Sequence, residues 1–211
     1  MKGKSFGMAC CAAVALSAWG HGTTIVKTAS ATPPPSPVAV NALILGVDEV
    51  GRIAGVDGLT AAPSKHEPSH FPKPGAPEPC QPPYQDDLSF GTGWTQYRSE
   101  AYAASTSPGP GRANAMADIL QAVAVYKDAD SARAQFDRVN ASLKACAALQ
   151  DANYDYAVNK PDGTTLDGRT GSAAFSYRVK ATVLVKVTAL GLPDPERVTS
   201  EVLQHITDRI G

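Results

Sequence analysis

The sharpest chemical pattern in the chain is His66-Glu67-Pro68-Ser69-His70, which spells the zinc-protease sequence H-E-x-x-H. That pattern works on a helix, where both histidines share one face a turn apart and the glutamate lies beside a metal-bound water. Pro68 disfavours helical geometry at Glu67, and Pro63, Pro72 and Pro74 crowd the flanks. His205 stands far along the chain, on a separate predicted helix. The segment therefore reads as a polar, proline-rich loop that holds no metal. No G-x-S-x-G elbow occurs. Gly91, Gly93, Gly109 and Gly111 are turn glycines outside any strand-to-helix phosphate loop. Asp86 with Asp87, and Asp151 with Asp155, could be drawn as paired acids. Nothing around them suggests the burial that shifts a carboxyl pKa, so they read as solvated loop charges. Neither catalysis nor a cofactor is expected.

The cysteines carry a different chemistry. Lys2 and Lys4 precede an uncharged run from Gly7 to Trp19 that is too short to span a bilayer, which is the pattern of an export signal. Cleavage after Ala18-Trp19-Gly20 or after Ala29-Ser30-Ala31 removes Cys10 and Cys11 and leaves Cys80 and Cys146. A lipid anchor on Cys10 or Cys11 is the less favoured alternative, because both precede most of the apolar run. Outside the cytoplasm the two remaining thiols are expected to pair. Closing a loop of about 66 residues stabilises a fold by about 4 kcal/mol on the chain-entropy argument. The pairing also removes any cysteine nucleophile.

What remains is binding. Trp94, Tyr97, Arg98, Tyr102, Tyr126 and Tyr177 fall on predicted strands. On an open sheet face, Trp94, Tyr97, Arg98, Tyr126 and Tyr177 could stack on a sugar, lipid or peptide and hydrogen-bond its polar groups; core packing against helices is the competing use. Arg98 is the least comfortable of them in a core. The formal net charge of -1 and the charged content of 18% give no basic surface for nucleic acid.

The elements that would position these residues follow from the pattern. Residues 1–31 are the export segment, 32–39 (Thr32-Pro33-Pro34-Pro35-Ser36-Pro37 and its flank) a stiff spacer, and 40–211 the folded domain. Val47 to Gly55 reads as a short helix closed by Gly55, with Asp48 and Glu49 at its positive end. Pro63 to Pro83 is a long proline-rich loop. Trp94 to Tyr102 reads as a strand, Pro108 to Gly111 as a turn, and Ile119 to Tyr126 as a buried central strand. Ala132, Phe136, Val139, Leu143 and Cys146 recur at helical spacing, with Asp130 as the expected N-cap. Tyr154 to Val158, Ser172 to Val179 and Thr182 to Leu190 read as strands, with Asp162-Gly163 and Asp167-Gly168 as turn pairs. Asp194-Pro195-Glu196 opens a last helix striped by Val198, Val202, Ile206 and Ile210. The expected fold class is α+β, an antiparallel β-sheet packed against helices, with a cleft and one disulfide.

Several of these stretches resemble the PknH-type extracellular sensor domain of mycobacterial kinases and lipoproteins. Glu49 to Gly55 is similar to that family's short first helix, and Pro77-Glu78-Pro79-Cys80 to its proline-rich approach to a first cysteine. Gly93-Trp94-Thr95-Gln96-Tyr97-Arg98 resembles its Gly-Trp strand. Val123 to Ala132, leading to Lys144-Ala145-Cys146-Ala147, resembles its strand, helix and cysteine signature. The resemblance spans Val40 to Gly211 and implies that Cys80–Cys146 matches the family's first disulfide. A second bridge is absent, because its late-strand place reads Thr188-Ala189-Leu190-Gly191; Leu143 stands where tryptophan is frequent. The resemblance implies a sensor-like module in a stand-alone copy without a kinase domain, secreted or held in the cell envelope. It would bind an unknown small molecule, glycan or lipid of the envelope. Docking on an envelope protein through the proline loop is the alternative reading, and an unorthodox hydrolase the weakest.

Overall fold

The computed structural model describes residues 39–211 apart from 71, 107–114 and 155. The export segment, nearly all of the spacer, the Pro108–Gly111 turn and Asp155 lie outside the described residues.

Two long strands set the frame. β1 (Thr60–Ala61) edges β2 (Trp94–Thr106), which pairs antiparallel with β3 (Ala115–Tyr126), Tyr97 opposite Ala124 and Tyr102 opposite Ile119. β3 is apolar almost throughout because both of its faces are covered. Ala117, Ile119, Val123 and Val125 enter one core, and Ala122, Ala124 and Tyr126 the other. The chain then returns through β4 (Ala157–Asn159), β5 (Thr165–Thr170), β6 (Ala173–Lys180) and β7 (Val183–Leu190). β7 docks antiparallel on β3, so the sheet runs β1-β2-β3-β7-β6-β5-β4.

Helices cover the two faces. α1 (Val40–Leu43), α2 (Val47–Ala54) and α5 (Pro195–Asp208) bury Val50, Ile53, Val198, Val202 and Ile206 with Val183, Val185 and Val187 of β7. α3 (Asp86–Phe90) and α4 (Ala129–Ala148) cover the other face, where Phe136, Val139 and Leu143 meet Phe175, Tyr177 and Leu184. Every residue of the expected α4 stripe, from Ala132 to Cys146, is buried. The α+β class and antiparallel sheet are as the pattern implies.

Some local expectations change. The N-cap of α4 is Asp128 and not Asp130: its carboxylate accepts from the Ser131 backbone N–H at 2.7 Å, the third residue of the helix. Asp162 makes the expected turn, but Asp167 and Gly168 lie inside β5. A Cβ at Gly168 would lie 2.0 Å from the Phe175 ring, so this glycine serves the close approach of a ring across the strand pair. The strand expected from Tyr154 shrinks to Ala157–Asn159, because Tyr156 turns inward and donates its hydroxyl to Cys80 O at 3.0 Å.

Cys80 and Cys146 are joined, with Cα atoms 4.9 Å apart. The bridge clamps the 3-10 turn Glu78–Cys80 onto α4, and Ser142 Oγ reinforces it by donating to Pro79 O at 3.2 Å.

Candidate ligand cleft

The aromatic residues singled out from the sequence do converge, but beneath α3 and not on an open surface. Trp94 Nε1 donates to Gly91 O at 3.0 Å, and the Tyr126 hydroxyl donates to Phe90 O at 2.7 Å. The Tyr97 hydroxyl donates to Asp86 Oδ2 at 2.9 Å, and Tyr177 shares a 2.9 Å hydrogen bond with Ser89 Oγ. Tyr97, Tyr126 and Tyr177 are buried, and Trp94 is half-buried. Each polar tip ends on the segment 86–91, so these side chains hold α3 against the sheet. Strand alternation sends Arg98 to the opposite face. There its guanidinium pairs with Glu100 and donates to Asn41 Oδ1 at 2.8 Å and Ser64 Oγ at 3.0 Å. Glu100 stays ionised below its usual range: burial pulls it up, and hydrogen bonds from Tyr102, Arg98 and Ser64 outweigh that.

The residue that sequence reasoning missed is Lys186. Its ammonium is fully buried in β7 and donates to Asp86 Oδ1 at 2.9 Å and to Pro82 O at 3.3 Å. Asp86 is therefore a buried ion-pair partner and not a solvated loop charge. Its neighbour Asp87 faces outward and meets His70 Nδ1 at 2.5 Å. A lysine within Val183-Leu184-Val185-Lys186-Val187 was the available signal, since a strand covered on both faces must supply that charge with a partner.

α3 and Pro82–Tyr84 reach only part of the way along the sheet. Beyond them the same face continues as Asp118 of β3, Thr188 and Leu190 of β7, Ala173 of β6 and Thr170 of β5. With Pro83, Tyr84 and Phe175 they line a cavity of about 160 Å³. Leu190 is 45% exposed there, and Met116, next on the same face of β3, is 61% exposed. Asp118 is exposed at the rim of the cleft and has no hydrogen-bond or ion-pair partner among the described residues. Desolvation by its surroundings alone pushes its carboxyl above the usual range.

A larger hollow of about 510 Å³ lies between β4, β5 and the start of α5. Most of its charges are paired, Arg169 with Glu196 at 3.6 Å and Arg197 with Glu201 at 3.1 Å, while Asp167 has no partner among the described residues. The smaller cleft sets a carboxylate against a more apolar wall of Pro83, Tyr84, Ala173, Phe175 and Leu190, and is the better ligand site.

The H-E-x-x-H segment is not helical, and among the described residues no three His, Cys, Asp or Glu side chains gather to hold a metal ion. Among the described residues no helix is long and apolar enough to cross a membrane.

A family described as the PknH-like extracellular domain matches residues 35–209. The chain belongs to this family. PknH-like membership gives it an extracytoplasmic setting, in keeping with an intact disulfide. Among solved structures, the extracellular domain of PknH from Mycobacterium tuberculosis superposes with a TM-score of 0.63 at 22% identity, covering 82% of this chain and 96% of that one. At that identity the likeness speaks for the fold. Comparison with curated protein sequences yields no significant match.

Proposed function

We propose that this PknH-like chain is an exported, non-catalytic ligand-binding module of the cell envelope, and that its ligand sits in the cleft over β3, β6 and β7. One observation carries the reading: a concave, partly apolar sheet face is left uncovered beside a disulfide-clamped wall, with a carboxylate at its rim that has no partner among the described residues. An exposed apolar patch with a carboxylate at its rim is the kind of surface that marks a binding site. The ligand class is a small molecule, glycan or lipid available outside the cytoplasm. Release from the export segment by cleavage, in preference to lipidation, completes the picture.

The test is a thermal-shift screen of the mature domain against fractionated envelope lipids, glycans and muropeptides, run in parallel on Ala173→Trp, which fills the cleft from β6. A fraction that raises the melting temperature of the wild type and not of the variant supports the proposal. Silence of every fraction on folded protein, or equal shifts in both, counts against it.

A further inference from the structure

We infer that the cleft selects a ligand with an apolar body and a protonated amine, and that Asp118 receives the amine. The inference rests on the cleft being the binding site, and adds the chemistry of what it takes.

Asp118 has neighbours that cannot answer its charge. Strand alternation places it on the face shared with Leu190 and Thr188, opposite Leu190 across the β3–β7 pair and opposite Ala103 across β2–β3. None of these neighbours is a cation or a strong donor, and no described residue hydrogen-bonds the carboxylate. Several acids less exposed than Asp118 have partners, Asp86 with Lys186, Glu100 with Arg98 and Glu49 with Arg209 at 2.6 Å, while the half-buried Asp167 of β5 also has none among the described residues. What sets Asp118 apart is its place at the border of the apolar cleft, with no partner among the described residues.

The surroundings then narrow the occupant. Pro83, Tyr84, Phe175, Ala173 and Leu190 offer ring faces and methyl groups, while Thr170 and Thr188 bring short hydroxyls. Such a lining fits one ring or a short alkyl segment better than a polyhydroxylated sugar, which would need many directed partners. A bare metal ion is disfavoured, since a single carboxylate without further His, Cys or acidic ligands does not make a coordination shell. An anionic head would meet Asp118 as a like charge. An ammonium on an apolar body satisfies both features at once, through a charge-assisted hydrogen bond at one end and apolar contact at the other.

The probes are phenethylamine and its neutral counterpart, phenethyl alcohol, titrated at neutral pH into the full mature domain and followed by protein-observed NMR. Wild type, Asp118→Asn and Ala173→Trp are compared, with the melting temperature of each variant as the folding control. The expected result is a preference for the amine of roughly tenfold or more in the wild type. Asp118→Asn should reduce that preference to near unity while alcohol binding is kept, and Ala173→Trp should abolish both. Equal binding of amine and alcohol in the wild type, lost together in Ala173→Trp, would overturn the inference while leaving the cleft as a binding site. An amine preference that survives in Asp118→Asn also overturns it, as does failure of both probes to bind. An envelope fraction that acts through the cleft, as read by the Ala173→Trp comparison, still stands apart from either result.

Discussion

Lys186 Nζ lies 2.9 Å from Asp86 Oδ1, and neither side chain has appreciable access to water. This pair joins the centre of the sheet to α3, the wall beside the cleft. Burial draws the lysine pKa down, but the Asp86 carboxylate outweighs it and holds the ammonium charged above the ordinary lysine range. Removing one partner leaves a buried charge with nothing to answer it. Lys186→Met or Asp86→Leu is therefore expected to cost about 3–5 kcal/mol, whereas the two together should recover most of the loss. Urea unfolding of the two single variants and the double variant measures this as a mutant cycle.

The disulfide acts on the same wall from the other side. Cys80 and Cys146 enclose a separation of 66 residues, so opening the bridge frees a large part of the denatured chain. Replacing both by serine should lower stability by about 4 kcal/mol. The loss of order should begin around Glu78–Cys80, where Tyr156 and Ser142 also hold the backbone. Calorimetry gives the first quantity. Amide exchange, read segment by segment, gives the second, and uniform exchange across the domain would contradict a local clamp.

Gly168 predicts a sharper, one-site effect. Its missing Cβ makes room for the Phe175 ring, which also packs edge-on against Tyr156 and Tyr177 with centroids 5.5 and 6.0 Å away. Gly168→Ala forces that ring aside, and a loss of about 1–3 kcal/mol is expected from overpacking. Phe175→Leu should relieve the clash, so the double variant should be more stable than the sum of its parts. Simple additivity in denaturant melts would show that the glycine is present for another reason.

These relationships show which parts of the fold the sequence makes legible. α4 could be read outright, because Ala132 to Cys146 repeat at helical spacing and the helix needs only one buried face. α2 could be read from its closing Gly55, whose φ of 66° suits glycine, and α5 from Asp194-Pro195. The disulfide followed from compartment and count. What could not be read is what strands do to one another. Asp167-Gly168 looks like a turn until Phe175 is placed across from it. Tyr97, Tyr126 and Tyr177 look like binding residues until α3 lies over them. Asp118 gives no local signal, since being without a partner is a property of the folded neighbourhood. Register and layer coverage are long-range facts, and single-residue chemistry does not encode them.

Acid should reveal two carboxylates whose effects on stability run in opposite directions. Asp162 is held down to about 2, first by the Thr164 hydroxyl and backbone N–H at 2.7 and 2.6 Å, then by the Thr165 N–H at 2.8 Å. A carboxyl whose folded pKa lies below its unfolded value stabilises the fold above the unfolded pKa, and that stability disappears as pH falls through the folded value. For Asp162 the window runs from the ordinary 3.8 down to about 2, and Asp162→Ala should flatten the stability profile there. Asp118 runs the other way. Its folded pKa is raised, so ionisation destabilises the fold once the pH exceeds the ordinary carboxyl value. Asp118→Asn should thus raise the urea midpoint at neutral pH and leave it unchanged at about pH 3, where both states hold the proton. Adding phenethylamine should stabilise the wild type more than phenethyl alcohol does at neutral pH, and that excess should vanish on acidification, because the protonated carboxyl no longer attracts the ammonium. A midpoint for Asp118→Asn that matches the wild type at every pH would mean that this carboxylate is as well solvated folded as unfolded.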